Sequence, residues 1–370
     1  MSEVTAHDES EPRRRRRIPG LDLARGLAVF GMFVAHLGPE DGRGGVVGFA
    51  LDAADGRASA LFAVLTGITL IYITSRERTC GGTRTTVAVL VRAAILIALG
   101  LILSISGAPV KVILVFYGAC FVLVLPLVRM SGRVLSVAAV AAVLAGPQLL
   151  FVARPWCEST STAACELVVT GTYPALVWVS FILTGMALAR MDLASTRIQF
   201  GLLWVGVGTA VLGYGGSWLA MDTVPGVDPL LRGSRLWWAF DSGNSEHWSW
   251  LLVAAPHSQT TLSVLGNTGV AVAIVATALL ATAEHGMLTR ALRPVTAVGA
   301  MSLTVYVAHI GAVWAIHATG IDTLAERSMV VLIGLTAGTT VAATIWMQRF
   351  RRGPLEAMLS STTVRAQRLI

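Results

Sequence analysis

Charge is what this sequence has least of. Only 13% of its 370 residues are Asp, Glu, Lys or Arg, about half of the ~25% carried by soluble chains. With 55% hydrophobic residues and a mean hydropathy of +0.71, that shortage excludes soluble enzymes and disordered chains. Four cysteines are too few for a secreted disulfide scaffold of this length. The seven histidines show neither H-x-x-x-H nor Cys/His ligand spacing, so no metal site is expected. No internal repeat of roughly 20–50 residues is visible. The paired Gly/Pro-broken helices of inverted-repeat transporters are missing too. Nor does a small-residue cleavage site follow the first apolar stretch, so that stretch reads as a retained helix behind a disordered basic tail at 1–17.

What the chain does have is apolar blocks of about 20 residues, each long enough to cross a hydrocarbon core as a helix. They fall near 18–37, 58–75, 87–106, 111–128, 134–153, 173–189, 199–219, 259–283, 297–317 and 328–347. The expectation is an all-α, polytopic integral membrane protein of about ten transmembrane helices in a lipid bilayer. Its membrane domain runs over 18–350 and is followed by a C-terminal tail at 351–370. The net charge of +7 is no nucleic-acid footprint, because the arginines sit in short clusters between the blocks. With the N-terminus inside, 19 of the 28 Lys and Arg residues fall in cytoplasmic segments and 7 in outside ones. That is the positive-inside pattern of a multi-pass plasma-membrane protein with both termini cytoplasmic.

In this topology Cys80 faces the cytoplasm and Cys120 lies within a helix. Cys157 and Cys165 share an outside loop, where oxidation is permitted but eight residues of separation do not fix a pairing. A longer outside loop, about 220–258, holds Arg232, Arg235, Trp237, Trp238, Trp248, Trp250 and His257. Two readings of it stand: an interfacial aromatic belt, or a folded lid presenting indoles and acids to a polar acceptor.

The first block reads RIPGLDLARGLAVFGMFVAHLGPE. Asp22, Arg25 and His36 are the ionisable groups in its apolar span. The 11 positions from Arg25 to His36 bring the helix within ~20° of whole turns and advance it by ~16 Å. Asp22 lies three positions before Arg25, so all three share one face. A pair snorkelling at the interface accounts for Asp22 and Arg25, and an interfacial position accounts for His36. A polar stripe lining a path through the protein accounts for all three. His309, within the ninth block, is either a functional intramembrane group or a neutral imidazole bonded to a backbone carbonyl. Arg57, at the start of the second block, either binds an anionic acceptor or anchors a helix end. His257 is a further candidate over the same cavity.

An Arg and a His at this spacing on a first helix resemble the membrane O-acyltransferases of bacterial surface glycans. The strings GLDLARGLAVFGMFVAH and RASALFAVLTG are more similar to the heparan-α-glucosaminide N-acetyltransferase catalytic-domain family and its bacterial YeiB-like relatives. AAPHSQTTLSVLGNTGVAVAI and SLTVYVAHI extend that resemblance over most of the chain. It implies transfer of an acyl group, acetyl above all, from cytoplasmic acyl-CoA to an extracytoplasmic glycan, amine or lipid. His36 would be the catalytic residue, with Asp22, Arg25, Arg57, His257 and His309 in substrate binding. Lysosomal members use a histidine in the loop after the first helix, and residues 39–57 here contain none. A membrane transporter using the same stripe as a substrate path is the alternative.

Overall fold

A computed structural model describes residues 17–39, 45–77, 82–227, 247–284, 286–320 and 328–369. Cys80, His285, and Arg232, Arg235, Trp237 and Trp238 of the long loop lie outside these residues, as does the basic tail up to Arg16. The described residues form helices and no strands. In chain order they are α1 Pro19–Leu37, α2 Gly45–Ala54, α3 Arg57–Glu77, α4 Gly82–Ile105, α5 Leu114–Val124, α6 Gly132–Thr160, α7 Ala163–Cys165 and α8 Ala175–Leu188. They continue with α9 Thr196–Thr223, α10 Thr261–Ala281, α11 Met287–Ala291, α12 Arg293–Ala300, α13 Ser302–Ala318, α14 Met329–Arg349 and α15 Pro354–Arg368.

Seven helices (α1, α3, α4, α6, α9, α10 and α14) are long and apolar enough to cross a membrane, among the described residues. Two bent pairs bring the number to nine if each is one span: 163–170 with α8, bent by 58°, and α12 with α13, bent by 83°. The shorter apolar stretch Leu114–Arg129 is α5 continued by a 3₁₀ turn. The chain is a multi-pass membrane protein. The second bend lies inside the apolar run 297–317, which concealed it, whereas the first begins in residues read from the sequence as an outside loop. The first spans a segment holding Gly171 and Pro174, and the second turns at Met301 with no proline.

Local chemistry sets the helix boundaries. Pro19 occupies the first turn of α1, where its missing N–H costs nothing. Ser131, Thr260 and Ser328 accept backbone N–H bonds at the starts of α6, α10 and α14. Within α3, Thr66, Thr69 and Thr74 return their hydroxyls to carbonyls one turn back, leaving no unbonded O–H donor in an apolar span.

The helices form an inner and an outer set. In α1 and α3, 61% of the spanning residues are buried, and in α10 56%, against 22% in α9 and 11% in α14. The outer helices turn Ile102, Val137, Trp204 and Val330 outward, as a lipid-facing surface requires. Glycine makes the tightest inner crossing, between α1 and α12. A methyl at Gly299 would sit on the carbonyl oxygen of Asp22, and one at Gly26 on that of Val295. Small residues at such points let helix backbones meet.

The last helix is docked rather than trailing. Glu356 of α15 accepts from the N–H groups of Leu303 and Thr304 at 2.8 and 3.2 Å and from the Thr304 hydroxyl at 2.6 Å. It thereby caps α13, whose own preceding residue, Met301, offers no side-chain cap. Cys157 and Cys165 are joined as a disulfide, with Cα atoms 5.2 Å apart.

Candidate functional site

The residues singled out from the sequence gather into three clusters. The first lies at the start of α1. Asp22 is 3% exposed and lies between two guanidinium groups. Its Oδ1 accepts from Arg25 Nη1 at 2.6 Å and its Oδ2 from Arg17 Nε at 3.1 Å. Arg25 Nη2 donates to Thr69 Oγ1 of α3 at 2.8 Å. The Thr69 proton already goes to the Leu65 carbonyl, which leaves its oxygen as the acceptor for Arg25. Beside these residues opens a cavity of about 1250 Å³, lined by Arg17, Asp22, Arg25, Tyr72, Arg190, Asp192, Arg351 and Arg352 among others. Five arginines against two aspartates make it an attractive site for a polyanion.

The second cluster is at the other end of α1. His36 Nδ1 lies 3.0 Å from Nε2 of His309, and the rings are nearly parallel at 12°. His309 is fully buried, with Phe33 and Tyr306 against it at centroid distances of 4.9 and 5.1 Å. The Tyr306 hydroxyl accepts from the Ile113 N–H at 3.1 Å, fixing the ring beside His309. Sequence separation of 273 residues hid this contact. The cavity at the arginine end is lined on α1 by Ile18, Leu21, Asp22 and Arg25, so the two clusters stand ~16 Å apart along one helix.

The third cluster surrounds the start of α3. Arg57 is 4% exposed. Its Nη1 donates to the carbonyls of Asp52 and Asp55 at 3.0 and 2.9 Å, and its Nε to the Tyr214 hydroxyl at 3.1 Å. Tyr214 in turn donates to Asn267 Oδ1 at 2.7 Å. The guanidinium therefore ties the end of α2 to α9 and α10. His257 Nε2 lies 3.3 Å from Asp55 Oδ1. His257 and Gln259 both hold the left-handed backbone, with φ of 59° and 61°, a conformation that side chains other than glycine rarely adopt. Gln259 is held there by the Trp178 indole N–H, which donates to its Oε1 at 3.0 Å. Burial alone would raise the Asp55 carboxyl. The His257 hydrogen bond and charge, the Arg57 charge and the Gly56 N–H outweigh burial and hold it below the ordinary value of an aspartate. In the described part of the long loop, Trp250 packs into a small core with Met221, Val227, Val253 and Ala255, and Trp248 is exposed.

Against known proteins, the family described as heparan-alpha-glucosaminide N-acetyltransferase, catalytic, matches residues 17–213. The chain belongs to that family. A second family, described as protein of unknown function (DUF418), matches residues 235–366. No curated protein and no solved structure matches. The family's catalytic region covers Arg25, His36 and Arg57, and the second match covers His257 and His309. The His36–His309 contact thus joins the two matched regions, which the sequence strings had pointed to separately. Thr69, Tyr306 and Glu356 were not singled out from the sequence. Thr69 and Tyr306 each look like ordinary residues of an apolar helix, and Glu356 like one of a charged tail. Among the described residues no group of His, Cys, Asp or Glu is placed to hold a metal ion.

Proposed function

We propose that the protein is a ten-span acyltransferase of the plasma membrane with both termini in the cytoplasm. In this reading it moves an acyl group, acetyl above all, from cytoplasmic acyl-CoA to an extracytoplasmic glycan, amine or lipid. The carrying observation is the polarity of α1, which holds an arginine-lined cavity at one end and a histidine pair at the other. The cavity fits the nucleotide of acyl-CoA in size and charge. Arg17, Arg190, Arg351 and Arg352 meet its phosphates, while Arg25, tied to Asp22 and Thr69, stands deeper as a fixed cation. The long pantetheine arm then reaches along the bundle toward His36. There the imidazole takes the proton of the attacking hydroxyl or amine as the new bond to the acyl carbon forms. The bond to sulfur breaks, and the proton passes to the leaving thiolate. Arg57 is read as a helix anchor, since its guanidinium is engaged by backbone carbonyls and Tyr214. His257 and Asp55 are read as a polar rim for the acceptor.

The orientation draws on the arginine bias and on the disulfide between Cys157 and Cys165, which belongs on the oxidising side. Single cysteines at Thr196 and Thr223, the two ends of α9, are expected to label from opposite sides in a Cys80→Ser background, with Thr196 cytoplasmic. In proteoliposomes the protein should consume acetyl-CoA and release thiol when given glucosamine, an acceptor taken from the family's description. His36→Ala is expected to abolish turnover and to leave acetyl-CoA binding intact. Arg25→Ala should weaken that binding by about 1.5–3 kcal/mol, the scale of one charged hydrogen bond. Solute movement without thiol release would replace this reading with a transporter.

A further inference from the structure

We infer that Arg351 is a specificity residue for the donor: its guanidinium reads the 3′-phosphate on the adenosine of CoA. The inference rests on the reading of the arginine-lined cavity as the nucleotide site.

The arginines around that cavity differ in how far they are already committed. Arg25 is bound to Asp22 and Thr69. Arg17 divides its guanidinium among the Asp22 carboxylate and the carbonyls of Arg351 and Ala300, each at 3.1 Å. Arg190 Nη2 donates to the Val128 carbonyl at 2.6 Å, and Arg352 Nη1 to Ser360 Oγ at 2.8 Å. Arg351 is the exception. Among the described residues its side chain has no hydrogen bond, ion pair or ring contact. Its backbone, by contrast, is pinned. Its carbonyl accepts from Arg17, and that of Arg352 accepts from the Trp346 indole N–H at 2.9 Å. Glu356 fastens the turn that follows to the start of α13. A guanidinium with five uncommitted N–H donors therefore stands on a fixed base at the cavity wall.

Depth assigns the phosphates. The side chain of Arg25 is 21% exposed and that of Arg17 49%, while Arg351 and Arg352 are exposed. The wall thus runs from a sheltered arginine on α1 to open ones between α14 and α15. Acyl-CoA has a fixed order as well: thioester, pantetheine, pyrophosphate, then the ribose with its 3′-phosphate. With the thioester directed along α1 toward His36, the pyrophosphate lies beside the inner arginines. The 3′-phosphate comes last, on the open side. A phosphate monoester carries close to two negative charges and three terminal oxygens, which suit a guanidinium free to bind in bidentate fashion. An acyl group on a carrier protein, where pantetheine ends at a single phosphodiester, lacks this group and should be refused as donor.

The test is isothermal titration calorimetry of the full chain in lipid nanodiscs, with CoA and with 3′-dephospho-CoA, which differ in this phosphate alone. Wild type should bind CoA about 10- to 100-fold more tightly, the range of one charged hydrogen-bonded contact. Arg351→Gln should lose that factor for CoA and bind 3′-dephospho-CoA as wild type does, so the ratio falls below about threefold. Its melting temperature should match that of wild type, because the side chain it replaces has no partner among the described residues. Arg352→Gln removes an equal charge one residue away, and should weaken both ligands while keeping most of the ratio. Discrimination retained by Arg351→Gln overturns the inference. So does an equal fall of the ratio in both variants, which would make the effect one of general positive charge. If wild type binds both ligands alike, the inference fails and the cavity remains a nucleotide site. If it binds neither, the nucleotide reading fails and takes the inference with it.

Discussion

Removing the Asp22 carboxylate tests whether the arginine end of α1 is held by charge or only by helix packing. Asp22 is almost fully buried, and its side chain meets Arg25 at 2.6 Å and Arg17 at 3.1 Å. Stripping one partner from a buried ion pair costs about 3–5 kcal/mol, because the other charge is left uncompensated. Two features reduce that figure here. Arg25 is 21% exposed beside the cavity and keeps its bond to Thr69, and Arg17 is 49% exposed. A half-exposed pair adds at most ~1 kcal/mol. The expected loss for Asp22→Ala is therefore about 2–3 kcal/mol, nearly all of it from Arg25. Asp22→Ala combined with Arg25→Met should recover about 2 kcal/mol of the loss, since the stranded charge is then gone as well. Reversible unfolding in mixed detergent and SDS micelles, followed by circular dichroism, measures all four members of this cycle. If the double variant is no more stable than Asp22→Ala, within about 0.5 kcal/mol, the reasoning is refuted and Asp22 is required for packing alone.

Gly299→Ala should cost about 1–3 kcal/mol in the same titration, because α12 must back away from Asp22 and Gly26 to admit a methyl. Gly208→Ala on α9, with nothing within 4 Å of the added carbon, should be neutral or slightly stabilising. Replacing Cys157 and Cys165 together by serine should cost about 2–3 kcal/mol, the loop-closure entropy of an eight-residue separation. The folded Asp55 carboxyl is held below its ordinary value by His257, Arg57 and the Gly56 N–H, so its contribution is fully present above the unfolded value. That contribution is lost only as pH falls through the folded value. The stability advantage of wild type over Asp55→Asn should accordingly shrink as pH falls below about 4, as thermal unfolding at stepped pH would show.

Much of the first helix could be read in advance, because its information is local. The three-residue step from Asp22 to Arg25 and the eleven-residue step to His36 are properties of helix geometry, and the structure pairs Asp22 with Arg25. The apolar blocks likewise mark where helices run. Composition does not record direction within a block, so residues 297–317 read as one span although the chain turns by 83° at Met301. Long-range partners were equally hidden. Thr69 lies 44 residues from Arg25 and His309 lies 273 from His36, and no periodicity carries over such distances. Arg57 illustrates a third limit. Two roles suited an arginine at a helix start, and only its contacts to the Asp52 and Asp55 carbonyls and to Tyr214 favour the anchor.

The cap that Glu356 places on α13 gives the histidine pair a position in time as well as in space. His36 belongs to a helix made long before α13, whereas His309 sits on α13 itself, whose leading N–H groups wait for an acceptor 52 and 53 residues further along. During synthesis α1 can insert early, but the start of α13 stays unfinished until α15 has been made and has folded back. A chain that terminates before residue 356 carries both histidines without the brace that seats one against the other. The histidine pair is in this sense seated late, braced by a residue that touches neither ring.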